Sequence, residues 1–390
     1  MSKSIFRLTV TFILLKLLAY KRVAITFILL GLLAYKIDWG QLGNDLGQSH
    51  IQYWFLAIIV YLLSQVASSM RWRWLAAPLG FHQPLSRFLS FYFIGMVFNM
   101  LLPTGVGGDV VRAWYLDGRS GRRLAAFLSV LADRGSGLLV LLALACLGVL
   151  FYPYSLDWRI SAIVWATAAL ALSGLGMIAA IALWKPKSVR AWDAKYVPDH
   201  HRKGLKGKVK HLRARLRALV LSLSHAFMLY LHRPTLLLGT TALSVIVQAA
   251  NVLLVWLIGQ ALEIPAPAAY YWILVPMVSL AVMIPIDING AAIRPYVTVA
   301  LLAPLAVSSE KATALAFMWL GAVLVASMTG IPFYLFGRYP RFFRSPEDSK
   351  TPEEMASGSR SGASNMEVRF DDGSFRGDPN QRRAGEPSPA

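Results

Sequence analysis

Charge is what this sequence has least of. Asp, Glu, Lys and Arg make up 15% of its 390 residues, while hydrophobic residues make up 56%. Soluble globular chains run nearer about 25% charged, and disordered chains are more polar still, so both classes are excluded. Cysteine is almost missing as well. Cys146 stands alone in an apolar run, which excludes a disulfide framework and any Cys-based metal site. Acids are also scarce: residues 1–340 hold eleven of them against thirty-one bases, the other nine acids and eight bases lying in 341–390. A pI of about 10.2 is a familiar mark of nucleic-acid binding. In a chain this apolar the basic excess marks cytoplasmic loops instead, and no nucleic-acid partner is expected.

Apolar runs of membrane length recur from Ile51 to Phe336, and they predict an all-α polytopic membrane protein. Full transmembrane helices are expected at roughly 23–37, 51–69, 124–151, 160–184, 235–260 and 312–336, about six in all. Near the N-terminus VTFILLKLLAYK (Val10 to Lys21) recurs as ITFILLGLLAYK (Ile25 to Lys36). Lys16, Lys21 and Arg22 interrupt or flank the first copy, so only the second copy is expected in the bilayer, and an uncleaved anchor is favoured because no small-x-small cleavage site follows.

Lys and Arg set the orientation. Arg71, Arg73 and Arg87 follow the second span, Arg112, Arg119, Arg122 and Arg123 precede the third, and Arg338, Arg341 and Arg344 follow the last. Twelve bases against Asp193 and Asp199 fill 185–217, whereas 38–50 and 261–270 contain no Lys or Arg. Both termini are therefore expected in the cytoplasm of a plasma (inner) membrane protein.

Segments 86–111 and 268–306 are apolar but broken by Pro and Gly. The first lies between two cytoplasmic basic clusters and must return to the side it left. The second must return to the outside. Two broken or re-entrant hairpins of opposite orientation are the pattern of an inverted repeat. Between the halves, Leu205, Val209, Leu212, Leu216, Leu219 and Leu223 fall on one helical face among bases. That predicts a basic amphipathic helix on the anionic inner leaflet, with a coiled-coil seam as its rival. His200, His201 and His211 have no metal-ligand company. The domain plan is thus a basic, duplicated segment at 1–22, a transmembrane domain at 23–340 with a cytoplasmic insertion at 185–234, and a disordered cytoplasmic tail at 341–390 rich in Ser, Gly, Pro and mixed charge.

Only three acids fall inside the membrane segments: Asp109, Asp133 and Asp287. A charge at mid-membrane costs on the order of 3 kcal/mol even on the mildest scale, so each needs a partner or a wet cavity. Asp133 shares a helical face with Ser129, Ser136, Gly137 and Val140, a stripe suited to helix–helix contact or to a cavity wall. Arg134 points about 100° away from it, so both must find partners on other segments.

The first break reads FNMLLPTGVGGDVVRAWYL (Phe98 to Leu116). Pro103 stops one half-helix, and Gly105, Gly107 and Gly108 allow a turn and a close approach. Asp109 is expected to cap a second half-helix starting at Val110. Arg112 in its first turn makes sense if an anion such as a phosphate binds there, or it anchors the interface together with Trp114 and Tyr115. Neither a dinucleotide-binding nor a P-loop reading fits, for want of a preceding strand or a following Gly-Lys-Ser/Thr. The second break, VPMVSLAVMIPIDINGAAIRPYV (Val275 to Val297), combines Pro276, Pro285, Pro295 and Gly290 with Asp287, Asn289 and Arg294. Arg71 and Arg73 in MRWRW read as an interfacial belt.

RWRWL (Arg71 to Leu75), the Phe98–Leu116 break and LADRGSGL (Leu131 to Leu138) together resemble the integral-membrane domain of bacterial lysylphosphatidylglycerol synthase and its stand-alone, flippase-like relatives, over roughly residues 20–340. The resemblance implies a module that translocates an anionic or aminoacylated phospholipid, or a polyprenyl-linked lipid. It places functional weight on Asp109, Arg112, Asp133 and Arg134. In the second half the family's Pro-x-Ser-x-Gly-Gly-x-Gly-x-Arg-Glu pattern is altered: Asp287 replaces Ser, Asn289 and Ala292 replace glycines, and Pro295 stands where Glu belongs, while Gly290 and Arg294 are kept. The soluble catalytic domain of the synthase has no counterpart in 341–390.

The reading that follows is a non-enzymatic lipid flippase without cofactor or metal. Its headgroup or cavity residues would be Asn99, Gly107, Gly108, Asp109, Arg112, Asp133, Arg134, Asp287 and Arg294. Its partners would be the lipid, the membrane and a separate soluble synthase or glycosyltransferase. A membrane-embedded transferase acting on a lipid phosphate is the alternative from another class, and a non-catalytic membrane partner of such an enzyme is a third.

Overall fold

The computed structural model describes residues 21–102, 107–118, 121–152, 158–184, 229–283, 287–337 and Tyr339. The first copy of the N-terminal duplication, Pro103, Gly105, Pro285, the 202–223 helix and the 341–390 tail lie outside them. The described residues are helical, with α1 at Lys21–Lys36, α2 at Trp39–Gly47, α3 at Ile51–Ala76, α4 at Leu85–Leu101, α5 at Gly107–Asp117 and α6 at Arg123–Phe151. Then come α7 at Trp158–Trp184, α8 at Pro234–Ala261, α9 at Tyr271–Met283, α10 at Ile293–Leu302, α11 at Ser309–Met328 and α12 at Gly330–Phe336. Short 3-10 turns at Ala77–Leu79, Ala268–Tyr270 and Ala303–Leu305 extend α3, precede α9 and extend α10.

Among the described residues four helices, not six, are long and apolar enough to cross a bilayer: Ile51–Leu79, Arg123–Phe151, Pro234–Ala261 and Ser309–Phe336. At 1.5 Å per residue each reaches about 40 Å, more than the apolar core of a membrane requires. The two other expected spans differ. The 23–37 segment bends by 89° from α1 into α2, because Asp38 stops the first helix and accepts from the N–H groups of Gly40 and Gln41 at 2.8 and 3.1 Å to start the second. Within α7, the described apolar stretch is the shorter Val164–Gly174. The chain is a multi-pass helical membrane protein.

Both proline- and glycine-broken segments are broken in the structure, α4 from α5 and α9 from α10. Of the prolines in the second, Pro276 sits inside α9 and Pro295 in the first turn of α10, where its missing N–H costs nothing. The α5 start differs from expectation. The helix begins at Gly107, so Asp109 is its third residue rather than its cap.

The packing repeats. Exchange α3 with α8, α4 with α9, α5 with α10 and α6 with α11, and the packed pairs among these eight helices map onto one another. Thus α3–α4 becomes α8–α9, α4–α5 becomes α9–α10, and α5–α6 becomes α10–α11. Likewise α3–α6 becomes α8–α11, α6–α9 becomes α4–α11, and α3–α11 becomes α6–α8, while the long α3–α8 contact maps onto itself. Two four-helix units, each a long helix, a broken pair and a second long helix, therefore meet along α3 and α8. At one end the two base-free loops come together, His50 donating its backbone N–H to Ala261 at 2.9 Å and its ring lying 3.2 Å from Glu263.

Candidate functional site

The first break is held shut by the absence of side chains. Gly95 in α4 and Gly108 in α5 face each other so closely that a Cβ on Gly108 would collide with the Gly95 carbonyl oxygen. Gly108 N–H donates to Asn99 Oδ1 at 2.8 Å, which satisfies a donor at the start of α5 that has no intrahelical acceptor. A Cβ on Gly95 would also lie 2.6 Å from Arg112 Cγ. Glycine at both positions is what lets the Arg112 side chain run between the two half-helices.

Arg112 ends in a network whose members are buried except Arg134, whose side chain is about half exposed. Its Nη2 donates to Asp133 Oδ2 at 2.9 Å, and its Nη1 lies 3.5 Å from Asp109 Oδ1. Its guanidinium is clamped between Trp72 and Tyr92, 4.2 and 4.1 Å from the ring centroids, and the Trp72 indole N–H is anchored to Ser129 Oγ at 3.1 Å. The other oxygen of Asp133 accepts from Arg71 Nε at 2.9 Å, and Arg71 Nη1 reaches Ser244 on α8 at 3.0 Å. Asp109 accepts in turn from Arg134, Nε at 3.0 Å and Nη2 at 2.9 Å. Arg71, Asp133, Arg112, Asp109 and Arg134 thus form one chain across α3, α5 and α6 and touch α8 through Ser244. These are charge-assisted bonds, the stronger kind, and they are what permits ionised groups at this depth.

Two site assignments change in kind. Arg71 is buried inside the network and is not an interfacial anchor; Arg73, two residues on, is exposed. Helical periodicity explains it, since the α3 face carrying Ser64, Ser68, Arg71 and Trp72 is the one turned inward. Arg112 has its acidic partners within the protein and is not an open first-turn anion ligand. Gly107 is buried against Leu102.

The second break is built differently. Asp287 is buried, and both its oxygens are taken up by backbone: Oδ1 accepts from Gly290 at 3.1 Å, and Oδ2 from Ala292 and Ile293 at 2.8 and 2.9 Å. It fixes the turn into α10, where Asn289 and Gly290 adopt left-handed φ of 53° and 72°. Arg294 is buried, with its guanidinium 4.3 Å from the Trp319 ring on α11. No carboxylate among the described residues lies within ion-pair distance of it, and its buried Nε has no hydrogen-bond partner. The two breaks touch: Asn289 Nδ2 donates to the Met100 carbonyl at the end of α4, at 3.2 Å. On its other side the second break leans on α1, Ile288 N–H donating to Thr26 and the Tyr296 hydroxyl to the Leu29 carbonyl, at 3.0 and 2.9 Å.

Trp72, Tyr92, Ser244 and Trp319 are site residues that sequence reasoning missed. Trp72 was legible only as part of an aromatic, basic cluster, and Ser244 and Trp319 are single residues in apolar runs that nothing local distinguishes. Among the described residues no group of three or more His, Cys, Asp or Glu is placed to hold a metal ion.

Helices of membrane length, two broken pairs in contact at their tips, and a buried ion-pair chain beside one of them define a polytopic membrane protein with an intramembrane polar centre. The sequence matches the family described as the lysylphosphatidylglycerol synthase TM region over residues 18–330, and the chain belongs to that family. No curated protein and no solved structure matches it.

Proposed function

We propose that the protein moves a lipid with a phosphate-containing headgroup across the inner membrane, with both termini in the cytoplasm and without catalysing covalent chemistry on that lipid. The observation that carries this reading is the contact of two interrupted helical pairs at a polar centre with more guanidiniums than ion-paired carboxylates. Discontinuous helices meeting inside a repeat are the construction in which transporters hold charged cargo near the midplane. The family's link to lipid modification or flipping points the same way.

Inversion of the repeat follows from counting crossings: if α3, α6 and α7 each traverse the bilayer and the two broken pairs do not, α8 starts on the face opposite to α3. The joining of the base-free loops through His50, Ala261 and Glu263 supports a common external side for them. Two surface hollows fit alternating access as well. One, of about 530 Å³, lies between the start of α4 (Arg87, Ser90) and α12 (Phe333, Phe336). The other, of about 210 Å³, lies between the end of α6 (Leu147, Phe151) and the start of α9 (Trp272). The exchange that maps α4 onto α9 and α6 onto α11, which α12 continues, carries one hollow onto the other. In an inverted repeat they open towards opposite leaflets.

The test is reconstitution into liposomes with head-labelled fluorescent phospholipid and a membrane-impermeant quencher. Wild-type protein should expose label from the inner leaflet, and Asp133→Asn should slow that exposure strongly while remaining inserted. Folded wild-type protein that moves no lipid above the protein-free rate refutes the reading.

A further inference from the structure

The two halves of the repeat carry the same arginine and treat it oppositely. Arg112 lies four residues after Gly108, and Arg294 four residues after Gly290. Asp133 is the eleventh residue of α6, and Trp319 the eleventh of α11. Where the first half sets Asp133 against its arginine, the second sets an indole; where Asp109 follows Gly108, Ala291 follows Gly290. The result is a guanidinium with 8% exposure that is stacked on a ring but neutralised by nothing in contact with it. Asp287 is within electrostatic reach of Arg294. It makes no direct contact with the guanidinium, however, because its oxygens accept from three backbone N–H groups at the start of α10.

Among the described residues no carboxylate at this centre is left without a partner. Asp133 is held by Arg71 and Arg112, Asp109 by Arg134 and Arg112, and Asp287 by the α10 turn. A headgroup bearing ammonium groups would therefore bring positive charge to a centre that already has a surplus and offers no acid to receive it.

We infer that Arg294 is the receptor of a phosphate ester of net negative charge, and that the protein selects anionic phospholipid over aminoacylated or zwitterionic phospholipid. A lysylated phosphatidylglycerol headgroup carries two ammonium groups against one phosphate and is net positive. Phosphatidylglycerol is net negative and supplies the counter-charge that Arg294 lacks. This selectivity rests on the translocation reading above for its physiological meaning, but not for its measurement.

The experiment uses the purified full chain in neutral detergent, with binding followed by intrinsic tryptophan fluorescence, a Trp319→Phe variant identifying the share of Trp319 among the twelve tryptophans, and by thermal stabilisation. Probes are phosphatidylglycerol, phosphatidylcholine, lysyl-phosphatidylglycerol and, as the non-lipid source of the same chemistry, inorganic phosphate. Phosphatidylglycerol should bind at least about tenfold tighter than the other three, a gap of about 1.4 kcal/mol. Arg294→Gln should erase that gap, and Arg294→Lys should keep part of it. Without lipid, Arg294→Gln should melt no lower than wild type, since it removes an uncompensated buried cation rather than one partner of a pair. The inference is overturned if lysyl-phosphatidylglycerol binds as tightly as phosphatidylglycerol, if inorganic phosphate does, or if Arg294→Gln leaves the preference intact. A selective binder that moves no lipid in liposomes would refute translocation and leave the charge selectivity standing. A protein that flips the lysylated lipid in preference would do the reverse.

Discussion

Replacing Asp133 by Asn removes the carboxylate that two buried arginines share, with almost no change in shape. The two arginines do not lose equally. Arg112 keeps its 3.5 Å contact to Asp109 and its stacks on Trp72 and Tyr92, whereas Arg71 keeps only the neutral hydroxyl of Ser244. Leaving a buried charge without its partner typically costs about 3–5 kcal/mol, most of it the desolvation that the lost pair had offset. For a domain of this size that corresponds to a fall in melting temperature on the order of 10 °C, measurable by fluorescence-detected size exclusion after heating in detergent. Arg71→Gln alone should also destabilise. The double variant Arg71→Gln, Asp133→Asn should be more stable than the sum of the two by about 0.5–3 kcal/mol, because the stranded cation is gone as well. Strict additivity, or an Asp133→Asn protein as stable as wild type, would show that these groups are not ion-paired at depth.

Three further outcomes follow from the same geometry. Gly108→Ala puts a methyl group into the Gly95 carbonyl, which α4 and α5 cannot accommodate without parting; it should destabilise by about 1–3 kcal/mol or more and slow lipid movement, as melting and liposome assays would report. Asp287→Ala strands three backbone donors and should cost about 2 kcal/mol or more, while Asp287→Asn, which keeps acceptors, should cost less in the same melting assay. With Cys146 replaced by Ser, a cysteine at Asn44 or Glu263 should react with an impermeant maleimide from outside intact cells, and one at His82 only after permeabilisation; the opposite pattern would reverse the proposed topology.

Much of this was legible in the sequence because membranes punish charge. Asp109, Asp133 and Asp287 stood out as the only acids in apolar segments, and the prolines and glycines around 103–108 and 285–290 marked where helices stop. Which arginine answers which acid was not legible. Arg71 sits in a run of alternating Arg and Trp whose local chemistry is that of an interfacial belt, and only the packing of α3 against α6 and α8 turns one arginine inward while its neighbour stays exposed. Two of the six expected spans do not stand out as single long apolar helices among the described residues, for a related reason. Hydropathy registers composition, and it cannot see that Asp38 caps a new helix at 89° to the last. Nor does a sequence reveal that both oxygens of Asp287 will accept from backbone N–H groups of the turn into α10.

The repeat also explains why one chain needs both kinds of arginine. In the first half Arg112 lies between two rings and two carboxylates, so any anion approaching it competes with partners that are already in place and cannot diffuse away. Such a residue locks α5 to α3 and α6, and of its guanidinium nitrogens Nε is left without a hydrogen-bond partner. In the second half the ring remains but no contacting carboxylate does: Arg294 is oriented by Trp319, an interaction worth on the order of 1–2 kcal/mol when desolvated, and no carboxylate among the described residues pairs with it. A carrier must release what it binds. A cation positioned by a neutral ring can take up and give back a phosphate, whereas one paired to its own acid can only hold the structure together. The substitution of Trp319 for an acid at the place Asp133 occupies in the other half thus separates scaffold from site along the axis of the repeat.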